Sequence, residues 1–342
     1  MFEKDRIAID LGTTNMKVMV GNKKRVKLFE TIKTPEGSIV DDRIIKLEEL
    51  KNLITAFLKK NNVKTRQIYF TIHGQDVISR HTETPIIDDQ SIKISLEWEM
   101  NQYLPRDMSE YTVDYEIIEK IDLPEKKALK LLVSAVPKEK IDQFVKLAQM
   151  LNLEIVAVDI NSNCARRVFK DISKKNTTLE SIAVINLGSN NTNIIILDKG
   201  KLFIEREIPF GINNILKEII KKENIEHSSA FEYLQKNISI TGNEEASELE
   251  KKIMSIFDNV LSSLEKIVAF FTIGRTKSKL DVIYLIGGGS VINGLSEYIS
   301  KYFNCPSYIL DDVSSIGVKT KIPNGCNVKY FIGTLGLLLR KE

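Results

Sequence analysis

The sequence predicts an α/β protein made of two similar domains that face one another, and three observations support this fold class. A short phrase occurs twice, at 7–18 and 184–194, and each copy is an apolar strand, a Gly- and hydroxyl-rich turn and a second strand. After the first copy, a third strand, a helix and a buried strand complete a β-β-β-α-β order, which packs as a mixed sheet. The 342 residues exceed one typical core and suit two domains.

The first copy has the chemistry of an anion-binding turn. Gly12 supplies the backbone freedom of a tight turn, and its missing Cβ lets backbone N–H groups approach an anion closely. Asp10 ends the strand, where its carboxylate could hold a hydrated Mg²⁺ ion. An ordinary hairpin explains one copy equally well, whereas two copies in matched contexts favour a phosphate clamp. The candidate nucleotide-binding residues in this copy are Asp10, Gly12, Thr13, Thr14, Asn15 and Lys17.

The second copy and a later glycine run extend this candidate site. Three consecutive glycines after the apolar run 282–286 let the backbone lie flat against a ring or a phosphate, although a strand-to-helix connection can use Gly for packing alone. No GxxxxGK[ST] stretch occurs, so a P-loop is excluded, and no GxGxxG follows the first strand. The candidates here are Asn186, Gly188, Ser189, Asn190, Asn191, Thr192, Gly211, Gly287, Gly288, Gly289 and Ser290.

Composition excludes several classes of function. The formal net charge is only +3 and acidic residues interleave with basic ones, so no nucleic-acid partner is expected. The N-terminus lacks an apolar signal region, and no apolar run reaches the ~20 residues of a membrane span. The most apolar stretch, 330–339, is short and interrupted by Gly, which favours a buried helix over a membrane anchor. We therefore expect a cytoplasmic protein without direct membrane insertion.

The cysteines and histidines predict no metal site. Cys164, Cys305 and Cys326 are odd in number and form no CxxC pair, so neither a disulfide framework nor a zinc site is expected. None of the three histidines shares a helix face or strand with a second candidate ligand. His73 is assigned to the turn that follows the short strand 68–72.

Residues 77–158 have a pattern of their own, typical of an inserted α+β subdomain. A strand near 77–84 and a helix near 91–103 precede strands at 111–121 and 128–136, and we expect a helix at 138–151 and a strand at 153–158 to close the insertion. Prolines fall at the joints between these elements. Trp98 either packs beneath the insertion or lines a peptide groove.

The three glycine sites, in this order, resemble those of the actin-like ATPase superfamily, which includes actin, heat-shock chaperone ATPases, sugar kinases and bacterial filament proteins. Asp10–Lys17 is similar to the first phosphate motif, Asn186–Thr192 to the second, and Leu285–Gly294 to the adenosine motif. Stretches 159–165 and 333–336 resemble the two connecting helices. The resemblance covers essentially the whole chain and implies the actin-like fold of duplicated ribonuclease-H-like domains.

Within that superfamily the chain resembles the PilM family of type IV pilus assembly proteins, relatives of the division protein FtsA. Glu97–Pro105 is similar to a PilM helix that ends in a Gln-Tyr-x-Pro turn, and the strand 113–118 follows it as in PilM. Arg206–Gly211 resembles the strand-to-helix turn after the second phosphate hairpin. The early insertion matches the relocated subdomain 1C of both families. FtsA proteins are longer and carry a C-terminal amphipathic helix that this chain lacks.

The resemblance implies a division into four subdomains. Residues 1–76 with 159–180 would form subdomain 1A, and 77–158 the inserted subdomain 1C. Residues 181–220 with 276–342 would form subdomain 2A, and 221–275 the helical subdomain 2B.

The resemblance also implies ATP and Mg²⁺ as ligands, but with weak turnover. The family's second phosphate motif usually begins with Asp, whereas this chain has Asn186, which carries no charge to help hold Mg²⁺ or orient water. Superfamily hydrolases place Glu or Gln on the first connecting helix, and the nearest carboxylate here is Asp159, the candidate catalytic residue. We therefore expect an ATP-binding protein with slow or no hydrolysis.

The implied partner is a PilN-like inner-membrane protein, whose short N-terminal cytoplasmic tail would bind in a groove beside subdomain 1C and recruit the chain to the membrane. Pilus motor or platform proteins are further candidate partners. The candidate groove residues are Trp98, Gln102, Tyr103 and Tyr115. Two alternatives stay open: a filament-forming protein like FtsA or MreB, and a small-molecule kinase of the same superfamily.

Overall fold

A computed structural model describes residues 4–123, 126–240, 246–273 and 279–341. The first half opens with a three-stranded antiparallel meander. A small hairpin of two-residue strands and a helix follow, and the last strand runs parallel to the first. These elements are β1 (Arg6–Leu11), β2 (Asn15–Asn22), β3 (Arg25–Lys33), β4 (Ile39–Val40), β5 (Arg43–Ile44), α1 (Leu47–Lys60) and β6 (Gln67–Ile72). Helix α1 buries Leu50, Ile54 and Phe57, which share one face at helical spacing.

The insertion is an antiparallel sheet covered on one face by a helix. Its elements are β7 (Ile78–Pro85), α2 (Asp89–Asn101), β8 (Tyr111–Leu123) and β9 (Lys126–Pro137), with strand order β7-β9-β8. Asp88 caps α2 by accepting a hydrogen bond from the Ser91 backbone N–H, and the helix buries Ile92, Leu96 and Met100 in a small core of its own. The opposite face of the sheet contributes Leu132 to the main core.

The strand expected to close the insertion belongs instead to the first sheet. Helix α3 (Lys138–Met150) leads into β10 (Glu154–Ile160), which runs parallel to β6 with Glu154 opposite Gln67 and Ile160 opposite Ile72. Since the backbone hydrogen bonds of β10 go to β6, its assignment to the insertion was wrong. The subdomain boundaries otherwise stay a prediction, and the predicted boundary at 275 and 276 lies outside the described residues.

The second half repeats the first. After α4 (Asn161–Phe169) and α5 (Ile172–Lys175), the described chain forms a second meander, three helices, and two parallel strands separated by a fourth helix. These elements are β11 (Ser181–Leu187), β12 (Thr192–Asp198), β13 (Lys201–Ile208), α6 (Ile212–Glu223), α7 (His227–Asn237), α8 (Glu248–Thr272), β14 (Val282–Ile286), α9 (Leu295–Phe303) and β15 (Ser307–Ile309). The sheet orders β3-β2-β1-β6-β10 and β13-β12-β11-β14-β15 are equivalent, which confirms the predicted duplication.

Two connecting helices cross between the halves. The last helix, α10 (Ile332–Leu338), is buried along its length, as predicted for the apolar tail, and packs against α4. A Cβ on Gly336 would overlap the backbone of Cys164 on α4, so the close crossing requires Gly at this position. Within the described part of the chain, no helix has both the length and the apolar character needed to cross a bilayer.

Candidate nucleotide cleft and a second cavity

The two hairpin turns line one cleft between the two halves. The cleft has a cavity volume of about 580 Å³, within the range of small-molecule sites. Most of the predicted nucleotide-binding residues lie around it: Asp10, Gly12, Thr13, Thr14, Asn15, Lys17, Asn186, Gly188, Ser189, Asn190, Asn191, Gly287 and Gly288. The structure thus brings together three segments that are far apart in sequence.

Asp10 is held as an anion at the base of the first hairpin. It is directly opposite Lys17 in the β1–β2 ladder, with 3.7 Å between Lys17 Nζ and Asp10 Oδ2, and Thr71 Oγ1 donates to Asp10 Oδ1 at 2.6 Å. Burial alone would raise the pKa of Asp10, but Lys17, His73 and the Thr71 hydrogen bond outweigh it and hold this pKa below its ordinary value. An ionised carboxylate here suits a hydrated Mg²⁺ ion, which typically uses one or two protein carboxylates. Among the described residues, no group of three or more His, Cys, Asp or Glu could by itself hold a metal ion.

The second hairpin forms the N-terminal cap of helix α6. The backbone N–H groups of Ile212 and Asn213 donate to the carbonyls of Gly188 and Ser189, both at 2.9 Å. Thr192 is buried and its hydroxyl donates to the Phe210 carbonyl, so it supports the turn and does not line the cleft. Gly211 does not line the cleft either. It packs against the backbone of Ser189, which a Cβ at this position would overlap.

Only part of the glycine run faces the cleft. Gly287 has a positive φ of 83°, which favours Gly, and a Cβ on Gly288 would meet no atom within 4 Å. Gly289 faces the core, since its Cβ would lie 2.8 Å from Leu187 Cβ. Ser290 is buried and its hydroxyl donates to the Gly287 carbonyl at 2.7 Å. Gly289 and Ser290 therefore shape the turn, whereas Gly288 is open to the cavity.

The cleft contains a polar network that the sequence did not indicate. His73 Nδ1 lies 3.2 Å from Asp42 Oδ1, and the Asn191 amide donates to Glu207 Oε1 at 3.1 Å and to Asp42 Oδ2 at 3.4 Å. Asn191 therefore links the first half to the second across the cleft. Burial, assisted by Asp42, raises the pKa of Glu207 to about 7. Burial would lower the pKa of His73, but Asp42 and Asp10 outweigh it and raise this pKa.

Only part of this polar network could have been found from a local pattern in the sequence. Asp41 and Asp42 form the turn between β4 and β5 with positive φ values of 48° and 57°, a conformation that Asp tolerates better than most residues. Their sequence marks a hairpin turn, but nothing in it shows that the turn reaches the cleft. Glu207 belongs to the stretch 206–211 that resembles a strand-to-helix turn, but the sequence does not show that its side chain reaches the cleft, because this depends on the pairing of β13 at the sheet edge.

Asp159 does not line the nucleotide cleft. Its side chain is buried, forms an ion pair with Arg167 at 2.7 Å and another with Arg340, and lines a different cavity. The connecting helix α4 instead presents Asn161, its first residue, and Ala165 to the cleft. The expectation that Asp159 is positioned for catalysis in the cleft was wrong, because the helix begins two residues later and turns Asp159 to the opposite side.

That second cavity has a volume of about 450 Å³ and lies between the sheet of the insertion and the first half. Its walls come from one face of β8 and β9, from α4 and from the end of the chain. Arg166 forms an ion pair with Glu116 across the cavity, while Leu132 and Val136 supply apolar surface. The second cavity therefore combines apolar surface with a charged rim.

Of the four predicted groove residues, only Tyr115 lines this cavity. Trp98 is 74% exposed on α2, and Gln102 is exposed at the end of the same helix. Tyr103 is 44% exposed, with the Arg80 guanidinium 3.6 Å from its ring centroid. The three residues of the α2 region therefore lie away from the cavity that receives Tyr115.

The family model described as type IV pilus assembly protein PilM matches residues 8–341. The chain belongs to the PilM family of type IV pilus assembly proteins. A solved structure of a PilM–PilN type IV pilus biogenesis complex is similar to this PilM family chain with a TM-score of 0.82, at 16% identity, covering 98% of this chain and 99% of the other.

More distant similarities confirm the actin-like ATPase fold. The ethanolamine utilization protein EutJ of Carboxydothermus hydrogenoformans has a TM-score of 0.55 at 14% identity, covering 99% of this chain and 90% of that one. MreB5 of Spiroplasma citri bound to ADP has a TM-score of 0.53, also at 14% identity, covering 92% and 94%. At such low identities these likenesses show the fold alone.

Proposed function

We propose that this PilM family protein is a cytoplasmic component of a type IV pilus machine that binds ATP in the cleft and the cytoplasmic tail of a PilN-like inner-membrane protein in the second cavity. The observation that carries the proposal is that helix α4 lies between two cavities of ligand size. The similar PilM structure was solved as a complex with PilN, and the similar MreB5 structure with ADP. The bound tail would recruit the protein to the inner face of the membrane.

The cleft has the donors and the space that a nucleoside triphosphate requires. The turns at Gly12 and Gly188 offer backbone N–H groups without side chains in the way, and Lys17 adds a positive charge beside them. Bound Mg²⁺ would neutralise phosphate charge, and its protein ligand would be Asp10, whose carboxylate is kept ionised by Lys17, His73 and Thr71. Gly288 leaves open space for the adenosine part.

We further propose that hydrolysis is slow. The cleft-facing residue of α4 is Asn161, and the second phosphate motif begins with Asn186. Neither amide can accept a proton from an attacking water or add negative charge near Mg²⁺. ATP would then act mainly as a structural ligand that stabilises the form to which it binds.

Gly288→Ala tests nucleotide binding with little risk to the fold. The added methyl group would meet no protein atom within 4 Å, so the melting temperature without ligand should stay unchanged. It would occupy ligand space, and overpacking of this kind costs about 1–3 kcal/mol, so we expect a roughly 10- to 100-fold loss of Mg-ATP affinity. Isothermal titration calorimetry measures this directly. A wild-type protein that shows neither heat of binding nor a melting-temperature shift at millimolar Mg-ATP would contradict the proposal.

Thr112→Trp tests the position of the peptide groove. Thr112 is an exposed residue of β8 that lines the second cavity, so an indole there would block the cavity without replacing core. We expect at least a tenfold loss of affinity for a synthetic PilN-like tail, measured by fluorescence anisotropy, since a lost buried anchor typically costs more than ~1–2 kcal/mol.

Trp98→Ala is the matched control for the groove. Trp98 is exposed on the outer surface of α2, away from the second cavity, and should leave peptide affinity unchanged. The opposite pattern, loss in Trp98→Ala and none in Thr112→Trp, would move the groove to the surface of α2.

A further inference from the structure

One edge of the first half carries a concentration of positive charge that the sequence does not show. The turn between β2 and β3 lies beside residues 319–321, nearly 300 positions away in the chain. We call this surface the basic edge, and it consists of Lys23, Lys24, Arg25, Lys319 and Lys321. Neither 19–29 nor 313–330 contains an Asp or Glu, so no acidic residue of these segments dilutes the charge.

Hydrogen bonds fix the two segments side by side. Val26 donates its backbone N–H to the Lys321 carbonyl, and Lys321 donates to the Lys24 carbonyl, both at 2.9 Å. The hydroxyl of the buried Thr320 donates to the Lys23 carbonyl at 2.7 Å. On the turn itself, Asn22 Oδ1 accepts from the backbone N–H groups of Lys24 and Arg25. The backbone that carries the five cations is therefore held in place before any partner arrives.

The cations of the basic edge are available for a partner. Lys24, Arg25, Lys319 and Lys321 are exposed. Within the described chain none of the five has a carboxylate at ion-pair distance, whereas the neighbouring Lys27 is paired with Asp5 at 2.5 Å. Five unpaired charges on one edge contrast with a net charge of only +3 for the whole chain.

We propose that the basic edge binds the surface of a membrane that contains anionic lipids. Four of its five cations are Lys, whose compact ammonium groups attract a diffuse layer of negative charge without needing a fixed geometry. No aromatic residue lies within 19–28 or 313–329, so the edge lacks the stacking groups with which proteins hold single-stranded nucleic acid. The contact is peripheral and electrostatic, and it does not depend on the proposed nucleotide or peptide sites.

Vesicle co-sedimentation of the full chain tests this proposal. The probes are vesicles of phosphatidylcholine alone and vesicles with 30% phosphatidylglycerol, at 0.1 M and 0.5 M NaCl. We expect at least about tenfold stronger binding to the anionic vesicles at low salt, and its loss at high salt, because clustered Lys residues act additively near a charged surface and salt screens them. The variant with Lys24→Glu, Arg25→Glu, Lys319→Glu and Lys321→Glu should bind both vesicles equally weakly.

The control variant reverses four exposed lysines elsewhere, Lys64→Glu, Lys146→Glu, Lys217→Glu and Lys251→Glu, and so has the same net charge. It should retain at least half of the wild-type binding. Replacement of the four basic-edge residues by Gln repeats the test should the Glu variant fold poorly, as judged by its melting temperature. Equal wild-type binding to neutral and anionic vesicles, or equal losses in both reversed variants, would overturn the proposal. Loss of oligonucleotide binding in the basic-edge variant, with no wild-type binding to vesicles, would assign the surface to nucleic acid instead.

Discussion

At the scale of single residues, the proposal of slow hydrolysis depends on two amide side chains that line the cleft of this PilM family protein. Asn186 lines the cleft at the start of the second hairpin, and Asn161 lines it from α4. Two of the carboxylates that line the cleft, Asp42 and Glu207, are tied to His73 and Asn191. A group already engaged in such contacts is poorly placed to orient a water molecule, so Asn186 is the residue to change.

Asn186→Asp should raise ATP hydrolysis. The substitution keeps the shape of the side chain and restores the negative charge that helps to hold Mg²⁺ and orient water. We expect a gain of about tenfold or more in steady-state phosphate release, below the 10²–10⁴ that a fully positioned proton acceptor supplies. Asn190→Asp is the control, because it adds the same charge on an exposed part of the same turn. An equal gain in both variants would mean that charge in the loop, and not position 186, limits turnover.

Glu207→Gln should flatten the dependence of stability on pH. The pKa of Glu207 is raised to about 7, so between its ordinary value of 4.5 and pH 7 the folded state binds more protons than the unfolded state. The wild-type protein therefore loses stability as pH rises through this window, and the raised pKa of His73 acts in the same direction. The Gln side chain does not titrate. The free energy of unfolding of Glu207→Gln, relative to that of the wild-type protein, should therefore rise by ~1–2 kcal/mol between pH 5 and 8, after allowance for solvent screening.

Urea unfolding at pH 5, 6, 7 and 8 measures this difference. Glu232→Gln, a change at an exposed residue of α7, is the control and should follow the wild-type curve over the same range. Parallel curves for wild type and Glu207→Gln would show that the carboxyl titrates at an ordinary pKa.

Residues with local signals were the predictable part of the cleft. Gly12, Gly188 and Gly288 follow from turns that the sequence shows directly, and Asp10 follows from its place at a strand end. Asp42, Glu207 and His73 meet only because separate turns and strands are brought together by the fold. The prediction for Asp159 was wrong for another reason: the start of a helix is hard to fix from sequence, and Asp159 lies in β10, two residues before α4 begins.

At the scale of elements, the order of strands was predictable, but the partner of one strand was not. The meanders follow from short turns between apolar runs, since neighbouring antiparallel strands pair locally. Strand β10 follows the insertion in sequence, and its short alternating pattern does not show which sheet it will join. Its pairing with β6 is a contact between residues more than 80 positions apart. The basic edge was missed for the same reason, because residues 23–25 and 319–321 are neighbours only in the folded chain.

Helices α4 and α10 connect the two cavities. Asn161 and Ala165 of α4 line the cleft, and Asn163, Arg166 and Arg167 of the same helix line the second cavity. On α10, Gly333 lines the cleft, and Leu339 and Arg340 just beyond its end line the second cavity. The helices cross in direct contact at Gly336, where no side chain separates their backbones. A displacement of either helix at one cavity would therefore change the walls of the other.

At the scale of the whole molecule, this arrangement predicts that nucleotide and peptide influence each other's binding. A ligand that closes the cleft acts on the N-terminal ends of α4 and α10, while the peptide would contact residues near their C-terminal ends. Coupling free energies between such sites are typically about 1–3 kcal/mol, a change of roughly 5- to 150-fold in affinity. Because binding free energies are linked, Mg-ATP should change peptide affinity by the same factor by which the peptide changes Mg-ATP affinity.

Two titrations of each ligand, with and without a saturating amount of the other, close this thermodynamic cycle. Gly288→Ala supplies the control, because its cleft should bind Mg-ATP roughly 10- to 100-fold more weakly while its second cavity is untouched. An Mg-ATP concentration just sufficient to saturate the wild-type protein should therefore change the peptide affinity of this variant much less. A peptide affinity that is the same with and without Mg-ATP in the wild-type protein would mean that α4 and α10 keep one arrangement. The two cavities would then be independent sites that share a wall.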